Sequence, residues 1–90
     1  MPSCQVTIIN KLGLHARAAA KFVSAANKFP CHISIGRDTN TMCNGKNIMS
    51  VMMLAASKGT DLYISAEGEQ ADQALVALQK LIAERFDEDC

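Results

Sequence analysis

This chain lacks most of the features that mark out a functional class at first sight. Nine Lys and Arg stand against nine Asp and Glu, so there is no net charge and no basic field to hold nucleic acid or an anionic membrane. Neither is expected as a partner. The apolar residues recur periodically and never form the run of about eighteen that a membrane span needs, so membrane insertion is not expected. Met1-Pro2-Ser3-Cys4 begins no signal peptide, which makes the cytoplasm the expected location. Four cysteines, Cys4, Cys31, Cys43 and Cys90, include no C-x-x-C pair. Cys31-His32 is the one close Cys/His couple, and neighbours on a strand point to opposite faces, so these two would not chelate one ion together. The expectation is no metal, with buried or edge thiols and Cys90 the exposed one. At ninety residues there is room for one two-layer core, hence one domain over residues 1–90.

What is present is clear periodicity. Val6 and Ile8 alternate with Gln5 and Thr7, which predicts a strand from Cys4 to Asn10. Ala19, Phe22, Val23 and Ala26 keep helical spacing and predict a helix from Ala16 to Lys28, stopped by Phe29-Pro30. Cys31, Ile33 and Ile35 alternate with His32, Ser34 and Gly36, and the turn-forming Arg37-Asp38-Thr39-Asn40 leads to a short partner strand from Thr41 to Cys43. His32 falls on the polar phase and reads as a solvated strand residue, not a second active histidine.

Asn44-Gly45 marks a turn, and Asn47 is a good N-cap for a short helix from Ile48 to Ser57, stopped by Gly59. In that helix Val51 and Leu54 read as core, which pushes Ile48, Met49, Met52 and Met53 onto a different, wider arc. Thr60 to Ala66 alternates as a fourth strand. Glu69 to Phe86 carries Ala71, Ala74, Leu75, Leu78, Leu81 and Ile82 as the stripe of a last helix, and Asp87-Glu88-Asp89 is a solvated acidic tail. The order β-α-β-β-α-β-α implies an α+β, open-faced two-layer sandwich: a four-stranded antiparallel sheet with the helices on one face.

Chemistry concentrates in Lys11-Leu12-Gly13-Leu14-His15-Ala16-Arg17, a loop that sets His15 at the mouth of the alanine-rich helix. A helix start leaves about four N–H groups without intrahelical partners, and the aligned dipoles favour anions there. The same field disfavours imidazolium, leaving a ring nitrogen lone pair able to attack phosphorus. Arg17 can offer forked donors to phosphoryl oxygens. Spacing alone fits two readings equally, a phosphate-carrying histidine or a histidine that caps its own helix beside a solvated arginine. An enzyme using His15 as general base is disfavoured, because no second His, nucleophilic pair or carboxylate cluster surrounds the motif.

The segment from Asn10 to Ala19 resembles the active-site signature of the HPr family, the histidine phosphocarriers of the phosphoenolpyruvate-dependent phosphotransferase system. That signature reads approximately N-x-x-G-L/M-H-A-R-P-A, and this chain departs from it only at Ala18. Gly45 to Leu54 resembles the family's second signature, and the order of segments agrees from end to end. The resemblance implies an open-faced sandwich of three helices over four strands. It also implies that Nδ1 of His15 accepts a phosphoryl group from phosphorylated enzyme I and delivers it to an enzyme IIA-type protein. Ala16 and Arg17 would hold the phosphoryl oxygens, with no metal or organic cofactor, and Ile48, Met49, Met52 and Met53 would form the apolar surface on which partners dock. A monomer is expected, since that patch already has a use.

Two departures from the family pattern carry information. Alanine at 18 removes the restraint that proline places on φ and predicts a slightly looser helix start. Asn47 stands where many sugar-pathway relatives have a serine that a kinase phosphorylates, so that switch is expected to be absent. With the Phe86-Asp87-Glu88-Asp89 ending, these departures resemble the nitrogen-related branch, NPr, more than the sugar-transport carrier. The alternatives are the sugar-branch carrier, and a regulatory binding module for which His15 phosphorylation is only a switch.

Overall fold

Side chains that alternate in polarity can bury one face of a sheet and leave the other wet, and the strands here do so. In the computed structural model, which describes residues 2–87, β1 (Ser3–Thr7), β2 (His32–Asp38), β3 (Thr41–Asn44) and β4 (Asp61–Glu67) form one sheet in the order β1-β4-β2-β3. Every pairing is antiparallel. The register sets Cys4, Ile64, Ile35 and Cys43 side by side on the covered face, and Ser3, Ser65, Ser34 and Asn44 side by side on the open one. Three helices, α1 (Ala16–Ala26), α2 (Ile48–Met52) and α3 (Ala71–Ala83), cover the apolar face, giving the expected open-faced α+β sandwich.

Its core lies between the layers. Phe22 of α1, Val51 of α2 and Leu78 of α3 meet Ile8, Ile33, Ile35, Leu62 and Ile64, all fully buried. Each such side chain contributes about 1.5–3 kcal/mol by leaving water. Cys31 is buried and His32 exposed, as strand alternation requires. Cys4, Cys31 and Cys43 are free thiols, and burial pushes the Cys4 and Cys43 thiols up from their ordinary value. Cys90, Glu88 and Asp89 lie outside the described residues.

Several elements end earlier than periodicity predicts. β1 stops at Thr7, although Ile8 still donates to the Thr60 carbonyl and accepts from Gly59. α1 stops at Ala26, and its last carbonyls are taken by the turn amides of Asn27, Lys28 and Phe29. α2 ends at Met52 rather than Ser57, because Ala55 takes a left-handed conformation (φ 51) that no helix continues. α3 runs only from Ala71 to Ala83, and Arg85, Phe86 and Asp87 then turn left-handed (φ 57, 55 and 63). That turn swings Phe86 into full burial, and Lys21 Nζ of α1 donates to its carbonyl at 2.7 Å. Three left-handed residues cost about 3–6 kcal/mol at roughly 1–2 each, and burial of the phenyl ring, about 3–5 kcal/mol, offsets most of it.

Candidate active site

The loop that presents His15 is built from its own backbone. The buried Asn10 side chain donates through Nδ2 to the Gly13 carbonyl (2.7 Å), while the Gly13 N–H donates to the Asn10 carbonyl (3.1 Å). Gly13 has φ 70, and a Cβ there would sit 2.6 Å from the Ala56 carbonyl oxygen, so only glycine fits. The next amide, Leu14, donates to that same Ala56 oxygen at 2.7 Å and buries its side chain. The loop is thus tied to the segment after α2 immediately before His15.

His15 is the N-cap of α1. Its backbone is extended (φ −77, ψ −178), and its carbonyl accepts from Ala19 at 2.8 Å, the first bond of the helix. Its half-exposed ring accepts, through Nδ1, the N–H of Arg17 at 3.3 Å. An accepting Nδ1 carries a lone pair, so the ring hydrogen in this arrangement belongs to Nε2. The bond is long for an N–H donor, hence weak and easily exchanged. Ala16 and Arg17 are exposed at the helix start, where their amides have no intrahelical acceptor. Ala18 is fully buried.

The second predicted group falls on one short helix, α2, and its C-cap, Met53. Asn47 caps α2, its Oδ1 accepting from Ser50 N–H at 3.1 Å. Val51 is fully buried and Leu54 half-buried, whereas Ile48 is 38%, Met49 64%, Met52 37% and Met53 81% exposed. Those numbers decide against a core role for the arc. Flexible thioethers at such exposure form a surface that can repack against differently shaped partners. Leu12, in the His15 loop, is 69% exposed and was not part of the predicted surface; an apolar side chain in a glycine loop is the signal that marks it.

Known proteins bear on what this site does. Residues 2–84 match the family description "PTS HPr component phosphorylation site". The chain belongs to the HPr family. The phosphocarrier protein HPr of Pseudomonas aeruginosa is 60% identical over 98% of both chains. Among solved structures, HPr-C-His from Thermoanaerobacter tengcongensis superposes with a TM-score of 0.93 at 41% identity, each chain fully covered. A dimeric crystal form of HPr from the same organism matches with a TM-score of 0.76 at 42% identity, over 98% of this chain and 100% of that one. The chain is accordingly a phosphocarrier of the phosphotransferase system.

Proposed function

We propose that His15 is the residue that carries the phosphoryl group, taken from phosphorylated enzyme I and ultimately from phosphoenolpyruvate. It would pass that group to an enzyme IIA-type protein of the nitrogen-regulatory branch. The observation that carries the reading is the Nδ1 lone pair held by the Arg17 amide at the helix start. Capping and carrying use the same atom in sequence. In the resting state Nδ1 accepts the Arg17 N–H. On transfer Nδ1 forms a bond to phosphorus, the bond from phosphorus to the donor atom breaks with its electron pair going to the donor, and Nε2 keeps its hydrogen. The released Arg17 N–H and its Ala16 neighbour then face the phosphoryl oxygens, with the Arg17 guanidinium as an additional donor. Delivery is a second displacement: an acceptor atom bonds to phosphorus while the bond to Nδ1 breaks, its electron pair returning to Nδ1 as a lone pair.

Ile48, Met49, Met52 and Met53 serve as the apolar dock for both partners. The carrier acts in the cytoplasm as a monomer. Ala18 and Asn47, together with the Phe86–Asp89 ending, support the nitrogen branch over the sugar branch. Asn47 has no hydroxyl to phosphorylate and is fully used as the cap of α2. The test is a transfer assay that offers the phosphorylated chain a sugar-branch and a nitrogen-branch IIA protein. Faster transfer to the nitrogen-branch acceptor is expected; faster transfer to the sugar-branch protein assigns the chain to sugar uptake instead.

A further inference from the structure

α2 is five residues long and cannot hold itself in place, and much of its apolar arc, Met49 and Met53 above all, faces solvent. Val51 anchors its middle, and tethers hold its two ends. At the start, Lys46 Nζ donates to the Phe29 carbonyl beyond α1 (2.7 Å) and Asn47 supplies the cap. Beyond the end, the carbonyls of Leu54 and Ala55 accept Nε and Nη2 of Arg37 at 2.9 and 3.0 Å. Carbonyls past a helix C-terminus lack intrahelical donors, and a cation suits the negative end of the dipole.

Arg37 continues the alternation of Ile33 and Ile35 onto the helix-covered side of β2, and it is also the extra residue of a β-bulge. Gly36 pairs with Met42 and Asp38 with Thr41, which leaves Arg37 without a counterpart on β3. A Cβ on Gly36 would run into the Thr41 carbonyl and Met42 Sδ, so the glycine permits the close approach of β3 at that point. The left-handed turn at Ala55 leads directly to the Ala56 carbonyl, which holds the Leu14 amide one residue before His15.

We propose that Arg37 is a positioning residue for phosphotransfer: by gripping the end of α2 it keeps the docking arc and the His15 loop in one mutual arrangement. This rests on the reading of His15 as the carrier and of α2 as the dock. Arg37 acts through the Leu54, Ala55 and Ala56 carbonyls and not on the phosphoryl group. Its fork satisfies two carbonyls at once, which a lysine does less well.

Arg37→Met keeps the aliphatic stem and removes the donors, and Arg37→Lys restores part of them. Transfer from phosphorylated enzyme I should show KM raised about five- to ten-fold in Arg37→Met with kcat changed less than about two-fold. Hydrogen exchange at the Leu14 amide should quicken about ten-fold while α3 amides keep their protection, and Arg37→Lys should recover part of both effects. An unchanged KM, unchanged Leu14 exchange, or a loss of protection spread equally over the sheet and α3 would overturn the proposal. The exchange measurement needs no phosphate. A wild-type chain that takes no phosphate on His15 defeats the carrier reading, while Leu14 exchange still decides whether Arg37 holds the loop.

Discussion

Two substitutions two residues apart, on opposite sides of α2, separate docking from folding. Val51→Ala removes two buried carbons, about 1.6 kcal/mol of transfer free energy at about 0.8 per carbon, and a residual cavity raises the cost to about 2–3 kcal/mol. In a chain of this size each kcal/mol lowers Tm by about 4–8 °C, so a fall of about 10–20 °C is expected. Met49 is 64% exposed, and Met49→Glu should alter stability by no more than about 0.5 kcal/mol, or about 4 °C. At a docked interface the same change loses an apolar anchor and buries a charge, which costs about 2 kcal/mol or more and weakens binding roughly 30-fold. Circular dichroism melts and calorimetric titration with enzyme I measure the two quantities. A Tm loss above about 10 °C in Met49→Glu, with enzyme I affinity unchanged, would refute the assignment of this face as a dock.

Other perturbations test separate parts of the structure. Phe86→Ala should cost about 3–5 kcal/mol in denaturant unfolding, because the fully buried ring is what draws the left-handed turn inward; a cost below about 1 kcal/mol would show that the turn forms for another reason. Arg17→Ala should slow phosphotransfer to and from His15 while leaving the melting curve in place, since its side chain is exposed, and unchanged rates with both partners would make it a bystander. Cys4 and Cys43 should resist alkylation near neutral pH, because burial holds both as neutral thiols above the usual thiol range. Through that alkaline range the folded chain binds more protons than the unfolded one, so these thiols should lower stability as pH rises and leave it unaffected below; a stability loss on acidification traced to either cysteine would contradict the burial.

Most of the fold is legible in the sequence because apolar period is a local property that burial then obeys. Ile33 and Ile35, Leu62 and Ile64, and Ala74, Leu75 and Leu78 all face the core as their spacing predicts. The outward arc of α2 is legible for the same reason. Element ends are less so, because local turns cut α1 and α2 short and distant partners hold the segments beyond α2 and α3. Phe86 leaves the helical path to reach a pocket whose wall includes α1, and its carbonyl partner Lys21 is 65 positions away. Ala55 ends α2 early while Arg37, 18 positions back, holds its carbonyl. Arg37 itself reads as a turn residue in sequence; its one clue is Gly36 inside a strand pattern, where an isolated glycine often accompanies a bulge. At the site, residue spacing leaves capping and carrying as rival readings of His15; the structure shows the capping, with Nδ1 as the accepting atom, and the proposed carrying uses that same nitrogen. Asn10 stands in the quoted motif without a role there, because its bond to the Gly13 carbonyl exists only once the loop has closed.

In the proposed transfer the decisive atom is Nδ1 of His15. The direct measurement is to load the chain with enzyme I and phosphoenolpyruvate and to locate the phosphate by phosphorus–nitrogen coupling in NMR spectra of histidine-labelled protein. One acid-labile, base-stable phosphoryl group on Nδ1 of His15, absent in His15→Ala, is the predicted result. Phosphate that persists in His15→Ala, or that sits on Nε2 with the Arg17 cap still intact, would contradict it.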